Sequence, residues 1–336
     1  MSSLSRNASS ADLAPVCEPP ADLIDKKEAD DAVLSPALLV PMTMVAGLIY
    51  LTWKMSEDMH AKVLADPSVN PITEVWISGP IFFTAFYLQV VVFGKKFMES
   101  QKPLKIKPFV FTYNLYQCLL NMWTVVEIIR EVRSNSELYP GVWGNRPQGN
   151  HVKSFRVSVL VWMHYNNKYV ELLDTLWMIL KKKERQISFL HCYHHVLLIW
   201  VWFLCCRIEP SADSYFGACV NSFIHVIMYA YYTLALLKIE CPWKRWITNC
   251  QMAQFAVCLA HAGYVYWEGN MPAALPAAQA FVMLNMLVLF GHFYMKTYAK
   301  RAADKEKGKE KEKEGNGVTT RPRGASSDDT NVKKRR

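Results

Sequence analysis

Apolar runs of about twenty residues recur along this chain, and one such run in a helix spans the hydrocarbon core of a bilayer. They fall at residues 34–53, 75–93, 109–129, 157–180, 187–206, 214–236, 248–267 and 276–298. Soluble domains rarely concentrate apolar residues in this way. The expected fold is therefore all-α: a polytopic membrane protein with seven to eight transmembrane helices. Pro36 and Pro41 stand in the opening turns of the first run, which leaves the count between seven and eight.

Three regions follow. Residues 1–33 mix Ser, Ala, Asp and Pro without periodicity and read as a disordered cytosolic tail. They lack a secretory pattern, so the first run reads as an anchor and not a removed signal. Residues 34–298 form the transmembrane domain. Residues 299–336 are low in complexity, highly charged and expected to be disordered. That tail ends Lys333-Lys334-Arg335-Arg336, and the dilysine resembles a retrieval address for the endoplasmic reticulum membrane. Of nine cysteines, most lie inside apolar runs, with no metal-type CxxC pair; they read as small hydrophobes, with a lumenal disulfide left open.

Charge sets the orientation. The segments "GKKFMESQKPLKIKP", "KKKERQ" and "KIECPWKRW" are short and basic, whereas "RIEPSADS" and "EGNMPAALP" hold almost no Lys or Arg. The positive-inside rule puts the basic segments and the C-terminus in the cytosol. The long segment between the third and fourth runs is basic too, yet alternation makes it lumenal.

Ionisable groups in hydrocarbon are costly, so they usually face a bundle interior and mark function. In "KYVELLDT", Lys168, Glu171, Asp174 and Thr175 share one helical face, and Lys168 can pair with Glu171. In "HCYHH", His191, His194 and His195 share a face near the basic end. In "NSFIHVIMYAYY", Asn221, His225, Met228, Tyr229 and Tyr232 gather on one side, and Thr248, Gln251 and Gln254 recur by threes in "TNCQMAQ". Aromatic stripes also simply pack, and buried amides also simply bridge helices.

Three histidines in a membrane helix fit two enzyme classes. A di-iron desaturase or hydroxylase needs about eight nitrogen ligands from several boxes. This chain has nine histidines in all; His60 and His151 fall in predicted lumenal loops, and His164, His261 and His292 stand alone. The ligand count runs short, and no metal is expected. Acyl transfer uses histidine as nucleophile and base instead. A basic rim suits coenzyme A phosphates, and an apolar tunnel suits an acyl chain. A receptor or transporter would call for Gly- or Pro-broken helices and polar groups reaching both faces; here the polar groups crowd toward the basic ends.

The four motifs, in this order and spacing, resemble the ELO family of fatty acid elongases over roughly residues 70 to 300. The stretches "QISFLHCYHH" and "MHYNNKYVELLDT" resemble its microalgal polyunsaturated-substrate branch. The resemblance implies a barrel of seven helices around a narrow, cytosol-facing acyl tunnel, to which the run at 34–53 is additional. It implies 3-ketoacyl-CoA synthesis: malonyl-CoA condenses with a long-chain acyl-CoA, polyunsaturated C18 or C20, with loss of CO2 and CoA. His194 would carry the acyl chain, with His225 and His195 handling protons or enolate charge and His191 supporting them. Asn221, Gln251 and Gln254 would orient imidazoles or carbonyls, and Tyr229, Tyr232, Lys168, Glu171, Asp174 and Thr175 would support the site. Lys181, Lys182, Lys183, Arg185, Lys244 and Arg245 are candidates for the CoA phosphates, or equally a solvated rim that fixes topology. Cys192 is assigned to packing. The implied partners are acyl-CoA, malonyl-CoA, membrane lipids and the other elongation-cycle enzymes. Dimerisation is left open, and neither a cofactor nor nucleic acid is expected.

Overall fold

A computed structural model describes residues 71–141, 151–269 and 271–316, with scattered positions between 47 and 66. Of residues 71, 74, 151–153, 245 and 297–316 it describes the backbone alone. The expected tail 1–33 and the first run lie outside the described residues, apart from Gly47 and Tyr50. Every long element described is a helix: α1 (Ser78–Glu99), α2 (Lys107–Ser134), α3 (His151–Glu171), α4 (Leu173–Leu180), α5 (Phe189–Ile208), α6 (Ser214–Leu236), α7 (Ile247–Glu268) and α8 (Ala274–Asn316). Seven of the eight apolar runs are thereby accounted for, the one at 157–180 shared between α3 and α4. The chain is an all-α polytopic membrane protein.

Four helices are long and apolar enough to cross a membrane by length and composition: α1, α5, α6 and the Ala274–Lys296 part of α8. The others, α2, α3 with α4, and α7, are less apolar because they carry buried polar groups. Asn114, Gln117, Asn121 and Thr124 are buried on α2, Asn167, Lys168 and Glu171 on α3, and Gln251, Gln254 and His261 on α7. The apolar stretch of α6 is 56% buried and that of α1 only 11%. The first is therefore the central helix and the second a peripheral one, whose exposed Phe82, Phe86, Val92, Phe93 and Phe97 suit lipid.

Local chemistry sets the ends that matter to the site. Ser188 is extended (φ −80°, ψ 165°), and its hydroxyl accepts the His191 backbone N–H at 3.2 Å, starting α5 just ahead of the histidines. α7 stops at Gly269, whose φ of 65° is the left-handed conformation glycine adopts without strain. The boundary between α3 and α4 has no such residue. Leu172 N–H bonds Tyr169 O (3.3 Å) and Thr175 N–H bonds Leu172 O (3.2 Å), a single tightened turn of i to i+3 bonds. Glu171, Asp174 and Thr175 sit on that turn.

α6 packs along α2 and also touches α3 and α7; α3 packs on α5, and α1 lies against α4 and α5. α8 joins through Gln279 Nε2 donating to Cys258 O of α7 (3.1 Å) and Tyr193 of α5 donating to Asn285 (3.3 Å). The helices α3, α6, α7, α8 and α5 thus close around one interior. The eight described cysteines are all free thiols.

The chain divides into two compact units, residues 1–292 and 293–336. In the second, the disorder expected from residue 299 does not hold over its first part, where the helix continues to Asn316. Ala, Lys and Glu have high helix propensity, and oppositely charged pairs such as Glu306 and Lys309 recur at i,i+3. Residues 317–336, with Lys333 and Lys334, lie outside the described residues.

Candidate active site

The interior holds a cavity of about 50 Å³ lined from α3, α4, α5, α6, α7 and α8. Eleven of the sequence-predicted residues line it: Glu171, Asp174, His191, His194, His195, Asn221, His225, Tyr229, Tyr232, Gln251 and Gln254. Met178, Leu190, Ile224, Met228, Phe255 and Phe290 complete the wall with apolar or soft surface.

One side of the site is a closed charge network. Lys168 Nζ donates to Glu171 Oε1 (2.8 Å) and to Asn221 Oδ1 (3.0 Å), and Asn167 Nδ2 donates to the same Glu171 oxygen at 3.1 Å. His225 Nδ1 stands 3.1 Å from that oxygen too, a contact that does not count as a formed hydrogen bond. The Lys168 and Glu171 side chains are 2% and 1% exposed. Burial of either charge alone would be expensive, so each holds the other in place and together they fix Asn221 and His225 on α6. Lys168 lies behind the cavity wall.

Next to it, Tyr229 donates to Asp174 Oδ2 at 2.7 Å, and Tyr113 of α2 lies 3.4 Å from the Tyr229 hydroxyl. Tyr232 packs edge-to-face on Tyr229, and Gln251 Nε2 reaches the Met228 sulfur at 3.7 Å.

The histidines form the third wall. His191 and His195 meet edge-to-face with centroids 4.5 Å apart, and His194 and His195 at 5.5 Å. Thr175 Oγ1 is 2.8 Å from His191 Nε2 and also 3.0 Å from the hydroxyl of Tyr87 on α1. His194 faces the cavity, and its imidazole hydrogen-bonds to no described residue. A neutral imidazole nitrogen open to a cavity can act as nucleophile or base. Among the described residues, no three His, Cys, Asp or Glu side chains converge as a metal-binding group.

The basic candidates do not enter the cavity. Lys181, Lys182, Lys183 and Arg185 lie between α4 and α5, and Lys244 between α6 and α7. Both connections stand at the end of the bundle nearest the site, because the histidines open α5 and Gln251 lies one turn into α7. Lys182 is committed to structure: its ammonium donates to the Glu99 and Gln101 carbonyls (3.1 and 3.2 Å) at the end of α1. Lys244 lies over the Tyr231 ring at 5.6 Å. The Arg245 side chain lies outside the described residues.

Sequence reasoning missed Tyr87, Tyr113, Asn167 and the pair His164–Ser222, whose Nδ1 and Oγ are 3.0 Å apart. It also passed over the buried amides of α2. Their signal was present, since Asn114, Gln117, Asn121 and Thr124 recur at steps of three and four.

The profile of the GNS1/SUR4 family (ELO) matches residues 73–306. Very long chain fatty acid elongase 5 of Xenopus tropicalis is 34% identical over 260 residues, which is 76% of this chain and 87% of that protein. The proteins of the same name from Xenopus laevis and Homo sapiens are 34% and 32% identical, over 68% and 67% of this chain and 77% and 75% of theirs. The family match spans well over half of the chain and takes in all four motifs, α1 to α7 and most of α8: this chain belongs to the ELO elongase family.

Proposed function

We propose that the chain condenses malonyl-CoA with a long-chain acyl-CoA, polyunsaturated C18 or C20, to give a 3-ketoacyl-CoA, CO2 and CoA. As an ELO protein it is a fatty acid elongase, a condensing acyltransferase; the substrate branch and the steps are the proposal. The observation that carries it is His194, a half-buried imidazole facing the cavity beside three other histidines, with no hydrogen bond to a described residue.

An imidazole nitrogen of His194 attacks the acyl thioester carbonyl, the C–S bond breaks, and CoA leaves with its electron pair. The acyl chain is then held as an acyl-imidazole. Malonyl-CoA enters, its carboxylate departs as CO2, and the resulting enolate carbon attacks the acyl carbonyl. The C–N bond breaks and His194 is free again. His225 and His195 stabilise the enolate oxygen or move protons, while Asn221, Gln251 and Gln254 orient carbonyls. No metal cofactor takes part. The basic end of the bundle faces the cytosol and receives both CoA substrates, in the endoplasmic reticulum membrane with the C-terminus cytosolic. The 3-ketoacyl product then passes to reductase and dehydratase partners. Support for the polyunsaturated branch is the likeness of "QISFLHCYHH" and "MHYNNKYVELLDT" to it.

The test uses membranes from cells expressing the chain or its His194→Ala variant, under nitrogen with a chelator. Labelled malonyl-CoA is offered with saturated, C18 and C20 polyunsaturated acyl-CoAs. Labelled 3-ketoacyl product from the wild type alone, greatest with a polyunsaturated acyl-CoA, is expected. Product at undiminished rate from a folded His194→Ala protein would remove the acyl-histidine. Product appearing only with iron, oxygen and reductant would make the site a di-iron one.

A further inference from the structure

α1 carries none of the four motifs, yet one of its side chains reaches the histidines. Tyr87 is 2% exposed, on a helix whose other large residues mostly face outward. Its hydroxyl is 3.0 Å from Thr175 Oγ1, and Thr175 Oγ1 is 2.8 Å from His191 Nε2. One line of hydrogen bonds therefore joins α1, α4 and α5. Its middle member, Thr175, is fully buried.

The line has a direction. A hydroxyl has one proton and two acceptor lone pairs. A phenol gives its proton more readily than it accepts one, because its lone pair is drawn into the ring. By that preference, with either oxygen able to donate, the Tyr87 proton goes to Thr175, the Thr175 proton to His191, and His191 Nε2 accepts. An imidazole that accepts at Nε2 is neutral and holds its proton at Nδ1. The ring so fixed is the one against which His195 packs at 4.5 Å, and His195 in turn meets His194 at 5.5 Å. Tyr87 also stands beside His195 directly, ring centroids 6.1 Å apart.

We infer that Tyr87 is a positioning residue of the histidine site: acting through Thr175, it holds His191 in the Nδ1–H form and at the angle on which His195 and His194 pack. The inference rests on the condensing role proposed above for what it does to rate, but not for the tautomer. Tyr87→Phe deletes one oxygen and keeps the ring, so the α1 packing survives.

Two measurements test it. The first is the histidine 15N spectrum of the purified, detergent-solubilised protein, with the His191 signal identified by its loss in His191→Gln. The wild type is expected to show His191 protonated at Nδ1 only, and Tyr87→Phe a mixture of tautomers. The second is condensation kinetics. Losing one buried hydrogen bond from a positioned group is expected to lower kcat about tenfold, with KM within about twofold. Thr175→Val is expected to lose a similar factor and Thr175→Ser to recover most of it. Because both residues act through one line, Tyr87→Phe added to Thr175→Val is expected to cost nothing more. An unchanged His191 spectrum in Tyr87→Phe overturns the inference whatever the rates, and so do losses that multiply in the double variant. If the wild type forms no 3-ketoacyl product, the condensing role fails by itself, and the spectrum still decides the wire.

Discussion

Lys168 shows how a charge survives inside this bundle. Its ammonium is shared between Glu171 and Asn221, and Glu171 is shared in turn among Lys168, Asn167 and the edge of His225. Removing one charge of such a pair leaves the other buried alone, which costs about 3–5 kcal/mol. Lys168→Met is therefore expected to lower the thermal midpoint in detergent by roughly 5–10 °C. Adding Glu171→Gln is expected to recover more than half of that loss, since neither charge is then left unpaired. An unshifted midpoint in Lys168→Met would show that the pair is neutralised within the fold. These residues were legible in the sequence because steps of three and four put Lys168, Glu171 and Thr175, or His191, His194 and His195, on one helical face. Tyr87 was not. Its inward neighbours on α1 are Thr84, Val90, Val91 and Gly94, a face too weakly polar to stand out from a lipid-facing run, and its partner Thr175 is 88 residues away.

At the scale of the element, α1 matters because it must lie close to α4. Thr84 accepts from Trp200 Nε1 at 3.1 Å, and Gly94 lets the backbones approach. A Cβ added at Gly94 would meet Ile179 Cγ2 at 3.3 Å and Cδ1 at 3.5 Å. Ile179 is itself packed in a buried cluster with Met98 and Ile187. Gly94→Ala is tight but within reach of a small shift, so it is expected to leave the thermal midpoint nearly unchanged. Gly94→Leu has no such space and is expected to cost about 1–3 kcal/mol by overpacking. It should also lower condensation as Tyr87→Phe does, because α1 is pushed off Thr175. Full activity in Gly94→Leu would mean that α1 can part from α4 without consequence. The helices themselves were readable from run length, while the turn that splits α3 from α4 was not. Nothing in "KYVELLDT" breaks a helix, and the tightened turn lies where Tyr229 of α6 bonds Asp174 and His191 of α5 meets Thr175. The continuation of α8 to Asn316 is hard to see for the opposite reason: high charge density suggests disorder, whereas alternating Lys and Glu also favour a helix.

For the whole molecule, apolar and polar helices divide the work. α1, α5, α6 and α8 are apolar enough to cross the membrane, and α2, α3 with α4, and α7 carry most of the buried polar groups. Both basic connections, residues 181–188 and 237–246, lie at the end of the bundle where the histidines sit. Among the described residues, none of the basic candidates lines the cavity. In the proposed reaction the CoA portion must then stay outside, on the basic end, while the thioester reaches the histidines and the surrounding helices yield to the chain. Lys181, Lys183 and Lys244 are cations at that end to test; replacing Lys182 would also loosen the carbonyls it holds at the end of α1. Replacing these three with Gln removes uniform binding of the CoA phosphates and touches no reacting atom. KM for malonyl-CoA is expected to rise about tenfold or more at low salt, with kcat within about twofold. The gap between variant and wild type should narrow as salt screens the remaining attraction over about 10 Å at 0.1 M. A KM that does not move at low salt would leave these lysines the sole task of fixing which side of the membrane the loops occupy, and would send the search for the CoA phosphate site to another part of the rim.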